Sequence, residues 1–509
     1  MNIINLFSNL CLITTSISIL MTLFYLYLTS TFNYWSVRDV LYKKPTVIFG
    51  NFSDLLLFKK SQPEVIKDMY NWFNSSYFGV FRVRSPILFI RDPELIKRVC
   101  AKDFKYFINR GIPTNTEDAL SCHLFNLEGN KWKNLRHKLT PVFSGGKIKK
   151  MFPLLQECGV ILYKLINKTG GDAAVDVREL AVNFTIDVIG SCAFGIKINA
   201  LTDEQSEFHC AVKKLSKPSY KSTLWRMLRT AIPRAYKLFK IQIIDRDVIE
   251  FFKDIVKQMI AQRELEHERQ QRRNDFMDLL IELKNNCLHD NNYNNEDNIE
   301  LNENTIAAQA FVFFVAGYET SSNTIAFCLH ELALNFKIQK RLKDEIETTI
   351  KKHGELTYES VQEMTYLEKV ILETLRKYPP AAMISRRCES TYEIPNTKVK
   401  LPPGMRVIIP IYGLHHDPNY YPEPDKFDPE RFSNKSIINS YTFMPFGEGP
   451  RNCIGIRFAM LLVKIGLISF LKNNTVQVSN KTTDPIIFSR RSLVTSSENG
   501  FWLNIYSDN

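Results

Sequence analysis

The residues best suited to chemistry lie in one run near the carboxyl end, residues 446–455, with the sequence FGEGPRNCIG. Its small residues, from Gly447 onward, allow tight turns and let the backbone approach a flat ligand closely. Cys453 lies just ahead of a predicted helix, near Gly455 to Lys472, and the positive end of a helix favours a thiolate. Backbone N–H groups of the turn can hydrogen-bond the sulfur and tune its electron donation. The run therefore predicts a thiolate held close to a flat ligand.

A second polar pair, Glu319-Thr320, lies inside an apolar stretch that is predicted to be a helix from about Ile306 to Leu334. An acid and a hydroxyl in so apolar a helix cost free energy unless they are satisfied or used. The Thr320 hydroxyl can bond the carbonyl one turn back and bend the helix, and Gly317 makes the distortion cheap. The pattern predicts a groove in this helix that could hold water.

Charged residues at regular spacing form two further groups. Glu373 and Arg376, spaced i,i+3, fall on one helix face, and Arg431 follows downstream. Such a pair on its own is weak evidence, because exposed pairs are common and worth ~0.5 kcal/mol or less. Trp132 and Arg136, spaced i,i+4, also share a helix face.

These motifs, in this order, resemble those of the cytochrome P-450 haem-thiolate monooxygenases over essentially the whole chain after the amino-terminal apolar segment. The resemblance implies that Cys453 is the axial thiolate ligand of the haem iron, with Phe446 and Gly447 in the haem-binding run. It also implies that Thr320 organises proton delivery, with Glu319 as its acidic neighbour. A thiolate in that position favours O–O cleavage.

The same resemblance gives the charged groups their roles. Glu373, Arg376 and Arg431 correspond to a buried structural network that holds the loop region beside the haem. Arginine suits the two haem propionates because its planar fork binds carboxylates bidentately. The residues assigned to the propionates are Trp132, Arg136, Arg386 and Arg451, with Arg387 as an alternative to Arg386.

The resemblance is strongest to the insect microsomal branch, on Tyr42-x-Lys44-Pro45, on Phe49-Gly50-Asn51 and on residues 446–458. It implies a monooxygenase that inserts one atom of O2 into lipophilic xenobiotics, such as insecticides and plant toxins, with haem b as cofactor. The chain has no G-x-G-x-x-G after a strand, so its electrons must come from another protein. The implied donor is an NADPH-dependent flavoprotein, NADPH-cytochrome reductase, with cytochrome b5 as an optional second donor. Its docking site is expected at Lys131, Lys133, Lys138, Lys147, Lys149 and Lys150.

Three other functions stay open. A biosynthetic hydroxylase of a hormone or fatty acid would carry the same motifs. A haem-thiolate isomerase or dehydratase acting on a peroxide would not need the pair Glu319-Thr320, which argues against it. A non-catalytic haem sensor would be expected to fill the sixth coordination position with a second protein ligand.

Composition excludes several classes of protein. The 509 residues are 45% hydrophobic and 24% charged, which excludes a disordered chain. Ten scattered cysteines without a C-x-x-C pair indicate a reducing compartment. The net charge of +12 forms no dense basic stripe, so we expect no nucleic-acid partner but an anionic membrane or an acidic protein.

The amino-terminal segment predicts a membrane anchor. Residues 1–37 contain no Asp, Glu, Lys or Arg, and Leu10 to Leu28 is nearly long enough to cross a ~30 Å hydrocarbon layer. Arg38, Lys43 and Lys44 follow, which places the body on the cytosolic side. We expect a retained single-pass anchor in the endoplasmic reticulum membrane; the alternative is a buried core helix.

The expected fold is mainly α with small β-sheets, the cytochrome P-450 fold, with residues 1–30 as the anchor and residues 31–509 as one catalytic domain. Short extended pieces are predicted at Val80–Val83 and Ile87–Ile90. The run Glu264–Asp275 is predicted to be a solvated helix face, and His289–Asn304 a mobile surface loop.

Overall fold

The structure, a computed structural model, describes residues 2–114, 118–169, 171–203, 207–216, 220–268, 275–289, 301–434 and 439–508. Its α-helices are α1 Asn2–Thr29, α2 Ser53–Leu56, α3 Gln62–Tyr70, α4 Pro93–Lys97, α5 Gly129–Leu139, α6 Gly145–Thr169, α7 Val177–Ile189, α8 Glu207–Ser216, α9 Tyr220–Ala231, α10 Pro233–Leu238, α11 Arg246–Glu268, α12 Phe276–His289, α13 Glu303–Leu334, α14 Phe336–His353, α15 Tyr358–Glu363, α16 Thr365–Lys377, α17 Ile411–His415 and α18 Ile456–Leu471. Its strands are β1 Tyr77–Arg82, β2 Ser85–Ile90, β3 Gly171–Asp176, β4 Ile384–Arg387, β5 Tyr392–Glu393, β6 Lys400–Leu401, β7 Arg406–Ile409, β8 Asn474–Val478 and β9 Trp502–Ser507. The prediction of a mainly helical chain with small sheets is confirmed.

The strands form three small sheets. The largest has the order β1-β2-β7-β4, in which β2 and β7 are parallel and the other pairs are antiparallel. A second sheet has the order β3-β9-β8, and β5 pairs with β6 in the third. The extended pieces predicted at Val80–Val83 and Ile87–Ile90 belong to β1 and β2 of the first sheet.

Helix α13 runs through the centre of the body. Its first half, from Ile306 to Tyr318, is buried in one apolar cluster, and its second half, from Ile325 to Leu332, is buried in another. Asn302 caps the helix, since its side chain accepts a hydrogen bond from the N–H of Thr305. Helices α7, α11 and α18 pack against it. A helix that is apolar on nearly all sides has to lie in such a core.

Helix α1 lies outside this core, with exposed apolar side chains. Residues Asn5–Thr29 are long and apolar enough to cross a membrane, by length and composition. The chain after the helix docks onto the first sheet. The Trp35 side chain is fully buried, and its indole N–H donates to the carbonyl of Val80 at 3.3 Å. Gly79 leaves the room for this ring, because a Cβ there would lie 2.3 Å from it.

The prediction of a solvated helix face over Glu264–Asp275 is wrong in part. Helix α11 ends at Glu268, and residues 269–274 lie outside the described residues. At both ends of the run, carboxylates turn inward: Glu266 at 3.2 Å and Asp275 at 2.5 Å pair with the buried guanidinium of Arg263. A buried cation needs such partners, and charge pattern alone did not show it. The predicted loop His289–Asn304 falls largely on residues 290–300, outside the described residues.

Candidate active site

Residues 446–455, the cysteine loop, form a tight turn directly before α18. The N–H of Cys453 donates to the carbonyl of Phe446 at 2.9 Å, which closes the turn. Gly447 and Gly449 have φ angles of +70° and +76°, the left-handed region that other residues rarely adopt. A Cβ at Gly449 would lie 1.9 Å from the carbonyl oxygen of Cys100, so the loop packs directly on neighbouring backbone. The predicted need for small residues in this turn is confirmed at these two positions.

The Cys453 side chain is exposed, although protein atoms surround most of it. Its side chain is accessible to a water-sized sphere, yet burial raises the pKa of its thiol. Both observations hold because the sulfur is open on one side and surrounded by protein atoms on the others. A hydrogen bond from the backbone N–H of Gly455 opposes the rise, as do the charges of Arg136 and Arg110. Burial, which favours the neutral thiol, therefore outweighs the groups that were expected to favour the thiolate.

Arg451 is stacked on Trp132, with its guanidinium carbon 3.8 Å from the ring centroid. Its Nε donates to the carbonyl of Ile108 at 2.9 Å, and Nη2 donates to that of Leu127 at 2.7 Å. Its Nη1 is buried and has no hydrogen-bond partner among the residues that the structure describes. Burial, followed by the charge of Arg386, lowers the pKa of Arg451 to about 9. The site thus holds an arginine with one donor left for another group.

Arg386 and Arg387 have different surroundings, although they are adjacent on β4. Arg386 is 1% exposed; its Nη1 donates to the carbonyl of Ser385 at 3.1 Å, and its Nε has no partner. Arg387 pairs with Glu128 at 2.8 Å and with Glu389 at 3.0 Å. Because these carboxylates already balance the charge of Arg387, Arg386 is the better candidate for binding an anion. This favours Arg386 over Arg387 as the propionate-binding residue.

Arg136 and Arg110 complete the group of cations. Arg136 donates to the backbone carbonyl of Asn452 at 2.9 Å and to its side chain at 3.0 Å, so it holds the cysteine loop from outside. Arg110 was not among the residues that the sequence assigned to the propionates. Arg110 donates to the carbonyl of Arg451 at 3.1 Å, and its Nε is buried without a partner. Burial and the charges of its neighbouring arginines lower its pKa well below the usual range.

Only one signal could have suggested Arg110. It is the sole charged residue between Phe107 and Thr114, in a segment that is otherwise apolar or neutral. The residues on either side fix it: the carbonyl of Asn109 accepts from the N–H of Arg387 at 2.8 Å, and Phe107 is fully buried.

On α13, Thr320 and Glu319 lie where the helix becomes accessible inside the body. The Thr320 hydroxyl donates to the carbonyl of Ala316 at 2.7 Å, the bond one turn back that the sequence predicts. Ala316 is exposed although it lies in the middle of a buried helix. Burial raises the pKa of Glu319, while the charges of Arg178 and Arg226 oppose the rise.

Comparison with known proteins identifies the family. The family described as Cytochrome P450 matches residues 42–504. The chain belongs to the cytochrome P450 family. This P450 is 39% identical over 506 residues to "Probable cytochrome P450 6a23" of Drosophila melanogaster, covering 97% of this chain and 99% of that protein. It is 38% identical over 504 residues to "Cytochrome P450 6j1" of Blattella germanica, covering 97% and 98%. "Cytochrome P450 9e2" of Blattella germanica is 36% identical over 530 residues, covering 98% of each chain.

The predicted family, its insect branch and the monooxygenase class are confirmed by these relatives. The family implies haem, a small-molecule substrate and a redox partner. The residues of the P450 fit haem in two ways. Within the described ranges, the buried Nε atoms of Arg110 and Arg386 and the Nη1 of Arg451 are donors without a partner, and such donors suit two carboxylates. The accessible sulfur of Cys453, with an N–H directed at it, suits iron.

The predicted charged network in this P450 is compact and buried. Glu373 and Arg376 are both fully buried and form two parallel hydrogen bonds, at 2.7 and 2.9 Å. Arg376 also donates to the carbonyl of His415 at 2.9 Å. The Nε of Arg431 lies 3.4 Å from a Glu373 oxygen, which completes the predicted trio. Removing one member of such a network costs on the order of 3–5 kcal/mol, because it leaves a buried charge unpaired.

Proposed function

We propose that this P450 is a membrane-anchored monooxygenase that inserts one atom of O2 into lipophilic foreign compounds, such as insecticides and plant toxins. The observation that carries the proposal is the exposed Cys453 side chain near buried arginines whose donors include some without a partner among the described residues. The insect relatives support the choice of substrate class.

The cysteine loop and the arginines bind different parts of the haem, the iron and the propionates. Cys453 binds the iron as thiolate, within the turn that Phe446 and Gly447 open. The propionates are bound by Trp132, Arg136, Arg386 and Arg451, together with Arg110. When bound, haem held by a Cys thiolate supplies the O–O cleavage chemistry of the family. A buried cation without a partner is costly, so two carboxylates at this place also stabilise the protein.

Thr320 and Glu319 of α13 handle protons in the proposed reaction. The Thr320 hydroxyl donates its hydrogen bond to the carbonyl of Ala316, so its oxygen can accept a hydrogen bond from water. The raised pKa of Glu319 keeps a proton on its carboxyl group at a higher pH than on a free glutamate. The pair can thus hold water and supply protons in a site that is otherwise apolar.

Electrons come, we infer, from NADPH-cytochrome reductase, with cytochrome b5 as a second donor. Helix α5 is suited both to contacting the cofactor and to docking an electron donor, since Trp132 is buried and Lys131 and Lys133 are exposed to solvent. Arg136 of the same helix holds Asn452, next to the cysteine. An acidic partner docked on the outer face of α5 is therefore close to the cofactor.

The proposed organisation is an anchor over residues 1–30 and a catalytic domain over residues 31–509. We place the anchor in the endoplasmic reticulum membrane and the domain on the cytosolic side, because Arg38 and two lysines follow the apolar helix.

The decisive test is the CO difference spectrum of the reduced, membrane-expressed protein, compared with that of Cys453→Ser. We expect a long-wavelength Soret band that the substitution abolishes. Cys388→Ser is a matched control, because Cys388 is buried, unlike Cys453, and its thiol donates to the carbonyl of Ser390. A band typical of histidine ligation in the natural protein, or no haem at all, would refute the proposal.

A further inference from the structure

Gln309 of α13 holds residues 118–126, the clamped loop, through its side-chain amide. The side chain is fully buried, and both of its polar atoms have partners. Its Oε1 accepts from the N–H of Leu124 at 2.8 Å, while its Nε2 donates to the carbonyl of Cys122 at 3.0 Å. An amide that both accepts from and donates to one backbone segment fixes its place and its direction. The clamped loop is therefore fixed on α13.

The clamped loop is well packed and ends in a turn that carries Phe125. Leu120 and Leu124 are buried in the apolar cluster that also contains the first half of α13. The N–H of Asn126 donates to the carbonyl of His123 at 2.9 Å, which closes a turn with Phe125 inside it. The Phe125 side chain itself is 46% exposed. The backbone of this turn, rather than burial of the ring, therefore sets where Phe125 lies.

The Phe125 ring lies against Arg110, with 4.0 Å between the guanidinium carbon and the ring centroid. Arg110 also donates to the carbonyl of Arg451 at 3.1 Å, and its Nε is buried without a partner among the described residues. Burial, followed by the charges of Arg386 and Arg451, lowers the pKa of Arg110 well below the usual range. The face of an aromatic ring attracts a cation more strongly where water is excluded. Phe125 therefore stabilises a desolvated charge and restricts its position.

We propose that Gln309 and Phe125 are positioning residues for Arg110. Gln309 fixes the clamped loop on α13, and the loop holds the Phe125 ring over the guanidinium. The ring in turn keeps Arg110 in place to bind a haem propionate. Because a cation beside the haem favours the addition of an electron, the clamp contributes both to haem retention and to the reduction potential. The inference rests on the proposed function in one respect, the binding of haem by Arg110.

The test compares the full-length holoenzyme with its Phe125→Leu and Phe125→Tyr variants. Phe125→Leu removes the ring and keeps an apolar side chain. We expect haem to transfer to apomyoglobin about tenfold faster, which corresponds to about 1.4 kcal/mol. The reduction potential should fall, because the charge of Arg110 is no longer held beside the haem. Phe125→Tyr keeps the ring and should behave as the natural protein. Phe336→Leu is the matched control, since Phe336 is also exposed but begins α14.

Gln309→Leu tests the link between α13 and the clamped loop. It should speed the hydrogen exchange of peptides that contain Leu124, and it should change haem transfer and potential in the same directions as Phe125→Leu. Gln339→Leu is its matched control. Gln339 of α14 is equally buried, accepts from the N–H of Val476 at 2.8 Å and donates to two carbonyls, but it does not contact the clamped loop. Its substitution should lower stability and leave haem transfer and potential unchanged.

A double-mutant cycle with Arg110→Gln decides whether these residues act through Arg110. Arg110→Gln alone should speed haem transfer and lower the potential more than Phe125→Leu does, and adding Phe125→Leu should change neither any further. Additive effects, unchanged values in Phe125→Leu, or an equal effect of Gln339→Leu would overturn the proposal. A normal CO difference spectrum alongside such results would show that the proposed function stands without the clamp, whereas a natural protein that lacks haem would contradict both.

Discussion

At the scale of single residues, Thr320 offers a narrow test of proton handling. Its hydroxyl donates to Ala316 and its oxygen is available to water, so Thr320→Ala removes a water-binding group and leaves the helix intact. We expect the ratio of hydrogen peroxide to product to rise about tenfold, which corresponds to about 1.4 kcal/mol, the contribution of one hydrogen bond. Both products and NADPH consumption are measured under reductase-supported turnover.

Thr324→Ala is the matched control for this experiment. Thr324 lies one turn further on α13, and its hydroxyl donates to the carbonyl of Thr320 at 2.8 Å. It is 5% exposed and therefore less accessible to water than Thr320. If Thr320→Ala left the ratio of hydrogen peroxide to product unchanged, Thr320 would not belong to the proton path.

The buried side chain of His415 should make the free energy of unfolding depend on pH. It is fully buried; its Nδ1–H donates to the carbonyl of Arg376 at 3.1 Å, and its Nε2 accepts from the N–H of Met444 at 2.9 Å. Burial, followed by the charge of Arg376, lowers its pKa from 6.5 to about 3. The unfolded chain thus binds a proton as the pH falls below about 6.5, while the folded protein does not until about pH 3. Stability is lost over that window.

We expect His415 to contribute a loss of about 2 kcal/mol in the free energy of unfolding between about pH 7.5 and about pH 5. Denaturant unfolding of the holoenzyme at both pH values measures it. His415→Gln should reduce the slope with pH by that amount. An equal slope in His415→Gln would show that His415 does not resist protonation.

The choice between Arg386 and Arg387 shows what sequence reveals at this scale. Both residue types suit a carboxylate, and neighbours on a strand point to opposite faces. Which face meets the cysteine loop depends on the register of β4, where Arg386 pairs with Val407 of β7. That pairing is a long-range contact and leaves no local pattern. Arg110 was missed for the same reason: its surroundings come from distant segments.

At the scale of elements, the turn before α18 makes a steric prediction. Gly449→Ala would place a Cβ 1.9 Å from a backbone carbonyl, at a φ of +76°. Because backbone cannot move aside as a side chain can, we expect a loss of about 3 kcal/mol or more in the free energy of unfolding, with reduced haem content. Denaturant unfolding and haem absorbance per protein measure the two effects.

Gly404→Ala separates strain from overlap in that experiment. Gly404 has a φ of +87°, but no atom lies within 4 Å of a Cβ at this position. Its cost should be about 1 kcal/mol, that of the left-handed conformation alone. Similar losses for the two substitutions would mean that the contact with Cys100 does not fix the turn.

The ends of helices were predicted well where apolar runs meet strong caps and breakers. The central helix, predicted from about Ile306 to Leu334, is α13, and the last helix, predicted near Gly455 to Lys472, is α18. Strand β3 was not predicted, since Gly171–Asp176 lies in a region with a helical pattern. It forms because β9, more than three hundred residues later, pairs with it. Tertiary pairing of this kind overrides local preference.

At the scale of the whole molecule, the anchor and the body form a joined unit. The sequence has only Pro45 in the segment after the apolar helix, which left the orientation of the body open. In the structure, the segment is held by the buried Trp35 and by the contact of Arg84 with Tyr27. These contacts fix how the apolar helix α1 leaves the first sheet.

The distribution of charge across the molecule makes the last prediction, on the electron donor. Reversal of two lysines on α5, Lys133→Glu with Lys138→Glu, should lower reductase-supported turnover about tenfold at low salt, because steering by complementary charge is lost. The difference should shrink as salt is added, since screening already weakens the attraction in the natural protein. Turnover supported by peroxide should not change, because it bypasses the partner. The exposed Lys253 and Lys257 of α11, reversed together, are the matched control and should leave the reductase reaction unaffected. If the α5 variant keeps full turnover at low salt, the reductase docks elsewhere, and the link between the outer face of α5 and the cysteine loop through Arg136 serves the haem alone.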